Sequence, residues 1–269
     1  EMVSRDSDLF RAHPDWIISK SGYEPALQRN QLVLDFSRAE VVDYIFNSVS
    51  DVIKNNDISY VKGDMNRYLS EFYSPALPAD RQGELAHRYI LGVYRLADML
   101  TNAFPDVFFE GCASGGGRFD TGMLYYFPQI WTSDDTDGYE RAKIQWGTSL
   151  CYPLSAMSCH VSACPNHQTE RVVPLGTRGN IASLGATGYE LDLTKLSNEE
   201  KAQVAEQITE YKKIDDLVLR GDLYRLSSPF DSPIFCMAVV SKDKTLAYVV
   251  GERALTLPRD VNRIIRIYG

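Results

Sequence analysis

Lys62, Asp64 and Asn66 occupy alternate positions at the polar end of the run Tyr60-Val61-Lys62-Gly63-Asp64-Met65-Asn66-Arg67. The period-2 geometry of a strand puts those three side chains on one face, with Gly63 and Met65 on the other. If that face lines a pocket, Lys62 favours the ionised form of Asp64, the state a carboxylate needs to act as a nucleophile. At a surface, the same residues are an ordinary strand-end ion pair. A second stretch, Ser133-Asp134-Asp135-Thr136-Asp137-Gly138-Tyr139-Glu140, brings three more aspartates. Asp137 and Glu140 have the spacing of a capping box, so Asp137 is expected to cap a following helix. Asp134 and Asp135 are adjacent and point apart, so one can enter a pocket as a general acid while the other orients its neighbours. A solvated loop is the plain alternative, and the spacing and terminal Glu of an EF-hand calcium loop are absent. Two carboxylates from two strand ends are what glycosidic-bond hydrolysis requires. One attacks the anomeric carbon and the other protonates the leaving oxygen, roughly 5–5.5 Å apart in retaining enzymes and further apart in inverting ones.

Two other stretches invite chemistry. Glu110-Gly111-Cys112-Ala113-Ser114-Gly115-Gly116-Gly117-Arg118 has the glycines of a phosphate loop but neither GxxxxGK[ST] nor GxGxxG spacing. Glycines after a strand fit close backbone approach to a neutral ligand better. Cys159, His160, Cys164 and His167 fall within nine positions. Their spacing matches no standard zinc pattern and a second ligand pair is missing, so packing and hydrogen bonding are the expected roles and no metal is implied.

The elements that must position these residues alternate. Residues 31–37 read as a short strand or extended segment, 39–56 as a helix with an apolar stripe, and Ile58 onward as a strand. Residues 82–104 read as a long amphipathic helix. Strands are then expected before the glycine loop and before the acidic loop, a helix over 139–150, and strands at Leu154–Ala163 and Ala186–Thr194. A helix follows over 197–213, and its extension to Asp222 is expected to carry the chain into a new module. Polar residues gather at the C-terminal ends of the strands, as in parallel βα units. A (β/α)8 barrel places catalytic residues there, and a doubly wound open sheet shares the alternation. After Asp222 short strands split by turn signals, including Asn262–Gly269, read as an antiparallel β module.

Composition narrows the function. Among 269 residues there are 36 Asp+Glu against 28 Lys+Arg, a formal net charge of −8, which disfavours nucleic acid or an anionic membrane surface as partner. Five cysteines, Cys112, Cys151, Cys159, Cys164 and Cys236, form no regular framework. This fits reduced thiols and a cytoplasmic setting. No apolar run reaches the roughly 18 residues of a membrane span, and the first ten residues lack a signal-peptide core.

Four motifs in order, V-K-G-D-M-N-R from Val61, F-F-E-G-C-A-S-G-G-G-R-F-D from Phe108, I-W-T-S-D-D-T-D from Ile130 and H-V-S-A-C-P-N-H-Q-T from His160, resemble glycoside hydrolase family 36, the bacterial α-galactosidases. The family's usual motifs are K-W-D-M-N and W-T-S-D-D-T-D. The resemblance implies an α/β fold, a partial (β/α)8 TIM-type barrel of about strands four to eight over 1–221. The start of a C-terminal antiparallel β-sandwich domain is implied over 222–269. It implies Asp64 as nucleophile, Asp134 as acid/base, and Arg29, Lys62, Asn66, Cys112 and Gly115 as sugar contacts. It implies a retaining enzyme acting on α-galactosides such as melibiose and raffinose, with no cofactor. Full-length relatives are often tetramers. The sibling activities are α-N-acetylgalactosaminidase and a transglycosylating raffinose synthase, and an inactive carbohydrate-binding relative is the rival of another class. Gly63 departs from the family's usual Trp, on the face away from Asp64. Glu1-Met2-Val3-Ser4 resembles the tail of a W-F-E-P-E-M-V-S motif. An N-terminal β-sandwich and three barrel strands are therefore expected upstream, and a chain cut there is expected to expose sheet edges that favour aggregation.

Overall fold

The computed structural model describes residues 1–256 and 258, so the strand expected over Asn262–Gly269 lies outside the described residues. By internal packing the chain divides into two compact units, Glu1–Pro128 and Gln129–Gly269.

In the first unit β1 (Met2–Ser4) pairs antiparallel with β2 (Gln31–Val33), Val3 opposite Leu32. Between them lies α1 (Asp8–Ala12), capped by the Ser7 hydroxyl, which accepts from the Phe10 amide at 3.1 Å. The strand expected over 31–37 is shorter, because Asp35 turns inward and accepts hydrogen bonds from the Ser37 and Ser74 hydroxyls. α2 (Ala39–Lys54) buries Val41, Val42 and Ile53 of its apolar stripe and leaves Tyr44 and Val52 exposed. β3 (Tyr60–Asp64) leads through a 3-10 turn at Ala79–Glu84 into α3 (Leu85–Ala103). α3 packs so closely on the chain at Phe36 that a Cβ at Gly92 would lie 1.8 Å from the Phe36 carbonyl oxygen. β4 (Phe108–Cys112) follows, then α4 (Thr121–Tyr126), capped by Asp120 through the Met123 amide. β3 and β4 are parallel, with Lys62 opposite Glu110 and Asp64 opposite Cys112.

The second unit continues the alternation with β5 (Gln129–Trp131), α5 (Gly138–Thr148), β6 (Met157–Ser162), α6 (Leu175–Ala182), β7 (Ala186–Glu190) and α7 (Asn198–Arg220). β6 is buried at five of its six positions, as a strand covered on both faces should be. α7 starts at a reciprocal capping box between Ser197 and Glu200 and runs unbroken for 23 residues, taking in the expected extension. Three antiparallel strands, β8 (Asp222–Ser227), β9 (Ile234–Val240) and β10 (Ala247–Arg253), then form a sheet of order β10-β9-β8. Its central strand buries Phe235, Met237 and Val239.

The parallel strands run in chain order, β3-β4-β5-β6-β7. Sequential order with no reversal is that of a (β/α)8 barrel, whereas a doubly wound sheet reverses at its switch point. Five parallel strands, each followed by a helix, are a half-barrel, and the antiparallel sheet comes after it. No helix among the described residues is long and apolar enough to cross a membrane.

Candidate active site

Asp64 closes β3. Its Oδ2 accepts from Asn66 Nδ2 at 2.5 Å. Its Oδ1 is buried and accepts no hydrogen bond from the described residues. Next to it, Lys62 Nζ lies 3.7 Å from Oε1 of Glu110, which is 1% exposed. The Tyr60 hydroxyl donates to the other oxygen of Glu110. The cation expected to support Asp64 therefore also answers to a second, buried carboxylate.

Cys112 stands opposite Asp64 in the register. Burial, with the Asp64 carboxylate beside it, pushes the Cys112 thiol up to about 12. The chain then turns back on itself with Ser114 at φ 50° and Gly115 at φ 78°, the left-handed region that glycine enters without strain. The Ala113 amide donates to the Gly115 carbonyl at 2.9 Å and the Gly117 amide to the Ala113 carbonyl at 3.2 Å. A Cβ at Gly117 would lie 2.5 Å from that Ala113 oxygen. These two amides are engaged within the loop, unlike the outward-pointing amides of a phosphate cradle. The loop is tied to the end of β3: Met65 N donates to the Cys112 carbonyl at 3.2 Å and the Ser114 hydroxyl to the Met65 carbonyl at 3.3 Å. Its far end is held by Arg118, whose two Nη atoms each lie 2.7 Å from the Glu1 carboxylate. Tyr89 Oη donates to the same carboxylate at 2.6 Å. Burial, the largest single effect, would raise the Glu1 carboxyl, but the charge and hydrogen bonds of Arg118, the adjacent amino group and the Tyr89 hydroxyl together hold it below its usual range. Lys62, Asp64, Asn66, Cys112 and Gly115 thus come together at the ends of β3 and β4. Arg29 does not join this cluster directly. It is exposed, at φ 52°, beside Asn30 at φ 60°, in a two-residue turn between Gln28 and Gln31.

In the second unit the acidic loop follows β5. Asp134 is exposed, and its Oδ1 accepts from the Trp131 indole N–H at 3.2 Å. Asp135 turns the other way, its Oδ1 accepting from the Asp137 amide at 3.0 Å. Asp137 caps α5 as expected, accepting from the Tyr139 and Glu140 amides at 3.0 and 3.1 Å. Burial would raise the Asp137 carboxyl, but the Thr169 hydroxyl, the helix amides and Arg171 together hold it below its ordinary value. Two side chains lie against the Trp131 ring: His160 stacks at 4.6 Å between centroids, and Arg141 Cζ lies 4.5 Å from the ring centroid. His160 contacts the Ser158 hydroxyl at 3.1 Å and Glu190 at 3.2 Å. Cys159 and Cys164 face the carbonyls of Leu184 and Val173. Among the described residues no group of three or more His, Cys, Asp or Glu could hold a metal.

Two charged residues stand in these surroundings without having been singled out from sequence. Glu110 was findable, since alternation along Phe108–Cys112 puts it on the face of Cys112. Arg141 donates to the Ser133 and Ser158 carbonyls at 3.2 and 3.0 Å, and burial holds its pKa below the usual arginine value. It carries no sequence signal beyond lying one turn after Asp137.

Five parallel strands in chain order define part of a (β/α)8 barrel, with polar residues at the strand ends. Comparison with known proteins makes this specific. The Melibiase family model matches residues 1–221. The α-galactosidase AgaA of Geobacillus stearothermophilus is 52% identical over 269 residues, all of this chain and 37% of that protein. The α-galactosidase Mel36A of Lactobacillus acidophilus is 49% identical over 259 residues, 96% of this chain and 35% of that protein. The crystal structure of the GH36 α-galactosidase AgaB of Geobacillus stearothermophilus superposes with a TM-score of 0.97 at 50% identity, over all of this chain and 37% of that one. The chain belongs to the Melibiase family. It spans about a third of the length of these relatives.

Proposed function

We propose that this chain is part of a retaining α-galactosidase in which Asp64 is the nucleophile and Asp134 the acid/base. In the first step an Asp64 oxygen bonds to C1 of an α-galactoside, the bond from C1 to the leaving oxygen breaks, and the Asp134 proton goes to that oxygen. In the second, Asp134 takes a proton from water as the water oxygen attacks C1. The Asp64 ester bond breaks and galactose leaves with its α configuration restored. Lys62, Asn66, Cys112, Gly115 and Arg29 are the proposed sugar contacts. The proposed substrates are α-galactosyl oligosaccharides such as raffinose and melibiose, and the whole protein is proposed to work in the cytoplasm as a homo-oligomer.

The observation that carries this reading is a spacing. Crystal complexes of Geobacillus AgaA with raffinose and with stachyose each have a different aspartate replaced, and those two aspartates are 70 positions apart. Asp64 and Asp134 are also 70 apart. The buried, unpartnered Oδ1 of Asp64 adds to it, since such an acceptor is costly unless a ligand takes it up. A domain boundary at 221/222 is proposed with it, supported by the end of the family match at residue 221 and by the change from parallel to antiparallel strands. The test is covalent trapping of the protein carrying this chain with a 2-fluoro-galactosyl substrate, followed by peptide mapping. The expected label is on Asp64; a label on any other residue would refute the assignment.

A further inference from the structure

Arg67 ends the motif that holds Asp64, yet its side chain is only 1% exposed and its ion-pair partner Glu71 is 3.9 Å away. Its hydrogen bonds go instead to neutral acceptors on two segments. Nη1 donates to the carbonyls of Ala26 at 3.0 Å and Gln31 at 2.7 Å. Nη2 donates to the Ser70 hydroxyl at 2.9 Å, and Nε to the Tyr68 carbonyl at 2.9 Å. Two further bonds close the same seam: the Tyr68 amide to Gln28 Oε1 at 3.1 Å and the Ala26 amide to Glu71 Oε1 at 2.7 Å.

Ala26 and Gln31 bracket the turn that carries Arg29. Both central residues of that turn, Arg29 and Asn30, are left-handed, as a tight type I′ hairpin demands, but neither is glycine. Non-glycine residues stay in that region where their surroundings fix them. We infer that Arg67 is a positioning residue: its guanidinium bolts the Gln28–Gln31 turn to the chain two residues after Asn66. It thereby sets where the Arg29 guanidinium stands relative to Asp64. A planar fork that reaches three carbonyls and a hydroxyl at once is needed, and the single ammonium of a lysine cannot replace it. The inference rests on the proposed role of Arg29 as a sugar contact.

The test is a double-mutant cycle on the protein carrying this chain, with nitrophenyl α-galactoside as substrate. Arg67→Lys is expected to raise KM about tenfold while kcat changes less than about threefold, and in an Arg29→Ala background to add less than about twofold. Gln28→Ala removes the Tyr68 contact alone. It serves where Arg67→Lys folds poorly, with a KM rise of about threefold that again vanishes in the Arg29→Ala background. KM effects that multiply independently of Arg29, or no KM effect in either variant, would overturn the inference, because a purely structural role lowers Tm without coupling to Arg29. A wild-type protein without turnover defeats the function proposed above and this inference with it. Turnover combined with independent effects defeats this inference alone.

Discussion

Cys112 offers a direct probe of the environment around Asp64. Its thiol is buried and stands opposite the Asp64 carboxylate, and the two effects, burial first, place its pKa at about 12. An unperturbed thiol near 8.5 is about one quarter thiolate at pH 8, whereas one at 12 is about one part in ten thousand. Alkylation goes through the thiolate, so Cys112 should react more than about a thousandfold more slowly than a free cysteine. The measurement is a time course of iodoacetamide labelling of the native protein at pH 8, read by peptide mass spectrometry. The exposed Cys151 and Cys164 serve as internal standards. Labelling of Cys112 within tenfold of Cys151 would contradict the burial and the shift together. Shielding alone would also slow the reaction, so Asp64→Asn separates the causes: burial is kept, the charge is lost, and Cys112 labelling should accelerate roughly three- to tenfold. An unchanged rate would mean that Asp64 does not act on the thiol. The same shift has a stability sign. Because the folded thiol holds its proton more tightly than the unfolded one, its contribution is complete below about pH 8.5. It is lost progressively as pH rises from there towards 12.

Two further perturbations address the scaffold. Gly92→Ala gains about 1 kcal/mol of helix propensity. The new Cβ would meet the Phe36 carbonyl at 1.8 Å, and forced repacking of that kind costs about 1–3 kcal/mol or more; a lowered urea midpoint is expected, and an unchanged one would show that α3 can give way. Asp137→Ala removes the α5 cap and a hydrogen-bonded partner of Thr169 and Arg171, for a loss of about 2–3 kcal/mol at pH 7. The folded Asp137 carboxyl is held low, so its contribution is full above about pH 4 and fades as pH falls below that. Denaturation at pH 7 and at pH 3 should therefore show the wild-type and variant converging in acid.

The parts of this molecule that could be read in advance are those governed by local rules. Asp137 caps α5 because a carboxylate three residues ahead of Glu140 meets free amides wherever the helix forms. Lys62 and Asp64 share a face because strand alternation leaves no choice, and the polar strand ends pointed to parallel βα units. Short elements were lost for want of period: α1, α4 and α6 have only 5, 6 and 8 residues, too few to show a stripe. The pairing of Lys62 with Glu110 depends on which residue of β4 lies beside which residue of β3, and no single strand encodes that register. Arg67 was invisible for a related reason. A buried arginine and a surface arginine are the same letter, and the carbonyls that distinguish them lie 36 and 41 positions away.

Gly63 shows how far the two faces of β3 are independent. A Cβ built there meets Phe127 Cε2 at 3.4 Å, and Phe127 itself stacks on Phe109 with centroids 5.5 Å apart. That side of the strand is already closed by a phenylalanine pair. A side chain at this position, such as the indole usual in family 36, would start in van der Waals contact with the Phe127 ring. The substitution is thus absorbed by packing on one face, while Lys62, Asp64 and their neighbours on the other keep partners that come from Asn66, Glu110 and Cys112. A parallel strand in a barrel can drift on its packed side without touching the chemistry at its end, because a period of two never lets one side chain serve both.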